Sequence, residues 1–289
     1  MSRKRFLLCS DTHLCHVDWY GVPTEERMER LIKHIKDEYE KDPFEALLFL
    51  GDYSLDFWKW DIGGCYVANG RSETKEFMEG YVSRLFDLGI PMGFIAGNHE
   101  QYGYKKWNDI TGYDRKDFII CDDILFILLD AFGADLDPTE HSDGTFTPAD
   151  TEYISMLMEN YPDKKVVLCS HHFDPEKESD AFKQIVSEKR VLCLFGGHVH
   201  LSSIVELSED FGGKALLYTG NYSYSGVKNA PPTASMWGFR DLIIEDDKLI
   251  SRYITPENEI ILDGKRAQNR FFFDKGRHNV KILLQKEKK

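Results

Sequence analysis

The chain has 289 residues, 42% of them hydrophobic and 29% charged, with a net charge of −13. This is the composition of a globular protein with a sizeable core. The acidic balance argues against extended nucleic-acid binding, which rests on Lys and Arg neutralising phosphates. No apolar run approaches the roughly 18 residues of a membrane helix, and Phe6–Cys9 stops at Ser10-Asp11, short of a signal-peptide core. None of the six cysteines forms a CxxC pair, and Cys9, Cys169 and Cys193 sit inside apolar runs. Reduced thiols and a cytoplasmic location, with no membrane partner, are the expectation.

Strand-length apolar runs alternate with helical patterns. Phe6–Cys9 reads as the first strand. Glu25–Tyr39 reads as a helix, with Met28, Leu31, Ile32, Ile35 and Tyr39 on one face and Glu25 and Glu26 in the first turn. Ala46–Leu50 is the next strand, and Thr74–Leu88 the next helix, closed by Gly89. Pro91–Ala96 leads into Gly97-Asn98-His99. Phe118–Ile120 and Ile124–Leu129 form a hairpin across Asp122-Asp123. Thr147-Pro148-Ala149-Asp150 reads as a capped helix start, with Pro at N1 and an acid at N3, and the helix runs to about Tyr161. Strands at Val166–Cys169 and Val191–Phe195 flank a helix near Ser179–Glu188. Later strands fall at Ser203–Leu207, Ala215–Thr219, Asp241–Ile244 and Leu249–Ile254, and Lys286–Lys289 is a charged end. The pattern predicts an α/β protein, with parallel strands and an antiparallel extension, in one domain over 1–289 whose last third, about 200–285, is mostly β.

Five polar clusters each follow an apolar run: Ser10-Asp11-Thr12-His13, Gly51-Asp52, Gly97-Asn98-His99-Glu100, Ser170-His171-His172 and Gly196-Gly197-His198-Val199-His200. In open α/β sheets, ligands bind beyond the carboxyl ends of the strands, so all five can converge on one edge. Imidazole and carboxylate without Cys suit Mn, Fe or Zn. A carboxylate can bridge two cations, and two metals roughly 3.5–4 Å apart can hold a hydroxide and clamp a phosphoryl group. His198 and His200 alternate along the chain and point the same way.

These five motifs, in this order, resemble the signature of the calcineurin-like metallophosphoesterases over Asp11 to His200, about two-thirds of the chain. The resemblance implies a four-layer sandwich of two mixed β-sheets flanked by α-helices. It implies two transition-metal ions (Mn, Fe or Zn), with Asp11, His13 and His200 on the first, Asp52 bridging, and Asn98, His171 and His198 on the second. His99 would be the catalytic acid rather than a ligand. Either His171 or His172 can fill its place; His171 lies nearer the strand end. The implied activity is a phosphohydrolase acting on phosphate esters, with phosphodiesters foremost. A phosphomonoesterase, a nuclease or a non-catalytic scaffold on the same fold are the other readings.

One departure stands out. The Ser/Thr phosphatases of the family continue as GDxxDRG, whereas here Gly51-Asp52 is followed by Tyr53-Ser54-Leu55-Asp56. The segment Tyr53–Glu73, rich in aromatics and Gly, reads as a lid or as an ordered surface loop. With Gln101–Lys116 it is the expected source of substrate choice. Tyr53, Trp58, Tyr102 and Tyr104 read as loop-packing residues that can alternatively stack on an aromatic leaving group. Arg71 and Lys105 are candidate phosphate contacts. Asn221 reads as a turn residue, with a place at the site as the other reading. Gly51, Gly97, Gly196 and Gly197 serve close backbone approach. His16, His34, His141 and His278 read as surface or capping residues.

Overall fold

The computed structural model describes residues 3–16, 23–58, 71–223, 237–245, 248–254, 259–262, 265–268 and 279–283. Residues 59–70 of the Tyr53–Glu73 segment, His278 and Lys286–Lys289 lie outside them. Two six-stranded sheets carry the fold. The first contains β1 (Lys4–Cys9), β2 (Ala46–Phe49), β3 (Met92–Phe94), β10 (Phe239–Glu245), β11 (Lys248–Ile254) and β14 (Asn279–Leu283), in the order β14-β11-β10-β1-β2-β3. The second contains β4 (Asp117–Cys121), β5 (Ile124–Leu129), β6 (Lys165–Ser170), β7 (Val191–Gly196), β8 (Ser202–Glu206) and β9 (Ala215–Thr219), in the order β4-β5-β6-β7-β9-β8. Both are mixed. β1, β2 and β3 are parallel, as are β5, β6, β7 and β9, while β10 and β8 run antiparallel to their neighbours. β12 (Glu259–Leu262) and β13 (Lys265–Gln268) pair separately.

Alternation along the strands explains the layering, because successive side chains leave opposite faces. Phe6 and Leu8 of β1 and Leu48 of β2 meet Phe126, Leu128, Val167, Cys169 and Phe195 between the sheets. Their neighbours Leu7, Cys9, Leu47 and Phe49 face outward onto α1 (Thr24–Lys41) and α2 (Glu73–Gly80) through Met28, Leu31, Ile32, Ile35 and Phe77. Leu125, Ile127, Val166 and Leu168 face α4 (Thr151–Asn160) and α5 (Asp180–Ser187) through Ile154, Leu157, Phe182 and Val186. The result is the expected sandwich of two mixed sheets flanked by helices. Strands covered on both faces read as unbroken apolar runs, which is why they were visible in the sequence.

Four expectations need correction. The helix predicted over Thr74–Leu88 is α2 followed by a 3-10 helix at Val82–Leu88, and the break follows Gly80, a poor helix former. The helix predicted from Thr147 starts at Thr151, with Asp150 as the cap accepting from the Tyr153 N–H; the N–H of Thr147 instead bonds Ala131 O at 2.7 Å. Gln101–Lys116 is not all loop: α3 (Tyr104–Thr111) buries Trp107 and Ile110. His34 is not at the surface. It lies buried on α1 with its ring 4.2 Å from that of Phe239, whereas His16 is half-exposed and reaches Glu76 at 2.7 Å.

Candidate metal centre

The loops after β1 and β2 continue side by side, as the strands do. Asp11 N–H donates to Gly51 O at 3.0 Å and His13 N–H to Asp52 O at 3.0 Å. From the second sheet, Gly197 N–H donates to His171 O at 2.9 Å, and the N–H of His198 donates to the Asp11 carboxylate at 3.0 Å. Carboxyl ends from both sheets therefore share one edge of the sandwich.

Asp11, His13, Asp52, His198 and His200 all have positive φ, at 54°, 43°, 55°, 67° and 56°. Left-handed backbone at non-glycine residues costs on the order of 1 kcal/mol or more each and clusters at functional sites. Here it turns five potential donors inward. Their ligand atoms fall into two groups that share Asp52: Asp11, His13, Asp52 and His200, and Asp52, His171 and His198, with the atoms of each group within 4.8 Å of one another. Asp52 Oδ2 lies 3.4 Å from His13 Nε2 and 3.2 Å from His171 Nε2. Asp11 Oδ1 lies 3.1 Å from His200 Nε2. Asn98 directs Oδ1 at the second group, 3.1 Å from His171 Nε2 and 3.0 Å from His198 Nδ1. His172 packs beside this group instead, its ring 5.3 Å from Phe146 and 4.6 Å from His198.

The electrostatics suit a cation. Burial pushes His13 and His198 down to about 4, which leaves neutral imidazoles with a lone pair to offer. Burial opposes ionisation of Asp52, but His171 and His99 hold its carboxyl well below the usual range. Burial also disfavours protonation of His171, yet Asp52 outweighs it and raises the ring to about 9. The buried donors are carboxylate, imidazole and amide oxygen, a set that fits borderline transition metals.

His99 sits beside both groups. Its N–H donates to Asp52 Oδ1 at 3.2 Å, Nε2 lies 3.6 Å from Asp52 Oδ2, and Trp58 packs edge-on at 4.7 Å between ring centres. Burial is the main cause lowering its pKa.

Several residues outside the donor set hold it in place. Glu100, the last letter of its motif, accepts N–H bonds from Asp52, Gly97 and Ser54 at 2.8, 2.9 and 3.2 Å. Burial and Asp52 push its carboxyl up to about 8, against the pull of those donors. Arg27 of α1 is buried and donates to the carbonyls of Thr12, His13 and Tyr222, clasping the first loop. Arg115 clasps Glu100 O and Tyr102 O while its fork pairs with Asp130. Asn221 donates to His200 O at 2.8 Å, so it positions a donor through the backbone. In the sequence Glu100 is marked by its motif and Asn221 by the strand before it, whereas Arg27 and Arg115 depend on tertiary approach.

The aromatic and basic candidates separate. Tyr53 and Tyr102 are buried, and Tyr104 is exposed on α3. Arg71 lies 3.6 Å from Glu73, and Lys105 pairs with Asp109 at 2.6 Å. Asp56 is buried and accepts from Glu73 N–H, Thr74 N–H and the Tyr102 hydroxyl, so it caps α2 instead of joining the donors. A Cβ on Gly97 would stand 2.0 Å from Asp52 Oδ1, and Gly51 has a φ of 92°, so both loops need glycine there.

Two packed mixed sheets with a His/Asp cluster on their strand ends define the class: dinuclear metallophosphoesterases. The model of the calcineurin-like phosphoesterase family matches residues 4–202, and the chain belongs to that family, whose members are metal-dependent hydrolases of phosphate esters. A comparison with curated proteins yields no match. Among solved structures the chain is similar to a dimetal phosphatase from Danio rerio (13% identity, TM-score 0.64, covering 98% of this chain and 99% of that one). It is also similar to GAP50 of Plasmodium, the anchor in the inner membrane complex (13% identity, TM-score 0.54, 100% and 91%). A third is the purple acid phosphatase PPD1 of yellow lupin, Lupinus luteus (13% identity, TM-score 0.52, 92% and 53%). At these identities the likeness is one of fold. Among the described residues, no helix is long and apolar enough to cross a membrane.

Proposed function

We propose that the protein hydrolyses phosphodiesters with two transition-metal ions of the Mn, Fe or Zn kind. Asp11, His13 and His200 would hold one ion, Asn98, His171 and His198 the other, and Asp52 would bridge. The observation that carries this reading is Asp52 Oδ2, set between His13 Nε2 at 3.4 Å and His171 Nε2 at 3.2 Å. Bound ions would activate water for in-line attack and neutralise the phosphoryl oxygens.

The chain's own contribution is orientation and one proton. The turned backbone of Asp11, Asp52 and His198 holds their side chains in the two donor groups. His99, fixed by its N–H to Asp52 and by Trp58, would protonate the leaving oxygen. The spacing of Asp56, one place later than the second acid of GDxxDRG and with no Arg-Gly after it, supports a substrate other than a phosphoprotein. One domain carries the activity, since β10 from the C-terminal third pairs directly with β1. The buried free thiols of Cys9, Cys121, Cys169 and Cys193 support a reducing, cytoplasmic setting.

The test is a substrate panel on protein reconstituted with Mn²⁺: cyclic nucleotides, nucleotide diesters, phospholipid-derived diesters, aryl diesters and aryl monoesters. Metal-dependent turnover should favour a diester. His99→Ala should lower kcat by roughly 10²–10⁴-fold with both ions retained, and Asp52→Asn should lose an ion. Faster monoester turnover would make the protein a monoesterase, and cleavage of DNA or RNA a nuclease. No turnover together with no stoichiometric metal would leave a scaffold.

A further inference from the structure

Residues 130–150, between β5 and α4, form neither helix nor strand, yet they are tied down against the Gly97–Glu100 loop. Gln101, fully buried, donates from Nε2 to Asn98 O at 2.7 Å and to Ser142 O at 2.8 Å, linking the two segments through one side chain. Asp137 N–H donates to Gln101 O at 2.6 Å, and Gly103 N–H returns a bond to Asp137 Oδ1 at 2.9 Å. Gly144 has a φ of 71°, and a Cβ there would stand 3.2 Å from Asn98 Cβ and 2.9 Å from Phe132 Cδ1. The segment therefore lies directly over Asn98.

Asp143 Oδ1 accepts from Asn98 Nδ2 at 2.9 Å, and His99 Nε2 lies 3.3 Å from the same nitrogen. An Asn side chain has two nearly isosteric ends, and only the oxygen can ligate a cation. A carboxylate can only accept, so Asp143 selects the end of the amide that faces it. The opposite end, Oδ1, is then the one set 3.1 Å from His171 Nε2 and 3.0 Å from His198 Nδ1. With Asn98 turned the other way, an N–H would point at the cation and the amide oxygen would face the Asp143 carboxylate. Both faces of a flipped amide are thus repulsive.

We infer that Asp143 is a positioning residue for the second metal ion: it locks the Asn98 amide with its oxygen toward His171 and His198. The inference rests on the dinuclear reading above and concerns assembly of the centre. Partners that orient a ligand in this way are worth roughly 10–100-fold in metal affinity.

Calorimetric titration of chelator-stripped protein with Mn²⁺ tests it, in wild type, Asp143→Ala, Asn98→Ala and the double variant. Asp143 is 64% exposed, so its removal should leave folding intact, with an unchanged unfolding temperature of the metal-free protein as the check. Asp143→Ala should weaken the second ion roughly 10–100-fold and leave the first unchanged. Since Asp143 acts through Asn98, the double variant should bind the second ion no more weakly than Asn98→Ala alone. Losses that add would mean that Asp143 attracts the cation by charge alone, and wild-type binding in Asp143→Ala would equally overturn the inference. Failure of wild type itself to take two ions would instead overturn the dinuclear reading.

Discussion

The Glu100 carboxyl accepts the backbone N–H of Asp52 at 2.8 Å, so a buried acid outside both donor groups fixes the residue they share. The same carboxylate takes the N–H groups of Gly97 and Ser54 and so joins the loops after β2 and β3. Gln keeps the shape and one oxygen for the Asp52 and Gly97 donors but turns an N–H toward the Ser54 N–H. Glu100→Gln should cost about 1 kcal/mol of stability and Glu100→Ala about 3 kcal/mol, the scale of buried donors left unpaired. Urea unfolding of metal-free protein reads this, and unchanged midpoints would show that water replaces the carboxylate.

Gly97→Ala should reduce kcat/KM by roughly 100-fold or more, since a displacement near 1 Å of a catalytic group costs that much. The added Cβ meets Asp52 Oδ1 at 2.0 Å, and Asp52 must move. Gly80→Ala is the control, because nothing lies within 4 Å of its Cβ; it should leave turnover unchanged.

Arg27→Met keeps the buried stem and deletes the clasp on Thr12, His13 and Tyr222 carbonyls. Loss of buried charge-assisted bonds predicts about 2–3 kcal/mol of destabilisation. A matching drop in Mn²⁺ affinity at the His13 group is expected by titration calorimetry. A stable variant with intact affinity would show that the loop holds itself.

His34 makes stability depend on pH. Burial lowers it from 6.5 to about 3 in the fold. The unfolded chain therefore binds the extra proton between those values. Its contribution is complete above pH 6.5 and declines as pH falls toward 3, at about 1.4 kcal/mol per unit. His34→Leu should flatten the stability–pH curve over that window relative to wild type, as measured by urea midpoints at pH 7.5, 6.5 and 5.5.

Chelation should lower the unfolding temperature. An ion at 100 times its dissociation constant adds about 2.7 kcal/mol to the native state, or roughly 5 °C for a chain of this size. Scanning calorimetry with EDTA and with added Mn²⁺ reads the difference. Coincident transitions would mean that the folded protein does not hold the ions.

Much of this was legible in the residues themselves. Asp11, His13, Asp52, Asn98, His171, His198 and His200 stand out because each follows a run apolar enough to be a strand covered on both faces. Order along the chain and residue chemistry are local properties, so they survive in one dimension. Which residue of a pair turns inward does not. His171 and His172 are equivalent in spacing, and only the placement of Phe146 and Asn98 separates them.

Helix boundaries failed for a related reason. Thr147 and Asp150 are both good caps in sequence, and a backbone bond to Ala131, sixteen residues earlier, takes the first out of contention. Asp56 resembled a displaced site acid until the start of α2 claimed its oxygens.

The sequence by itself determined the alternation of strands and helices along the chain, the motifs and the chemistry of the donors, because periodicity and residue type are written locally. Only the tertiary structure decided that Asp52 is shared, that Arg27, Glu100 and Asn221 hold the loops, and that Asp143 meets Asn98. Those contacts join residues 14 to 48 positions apart or more, and chain folding, not spacing, sets the distance between them.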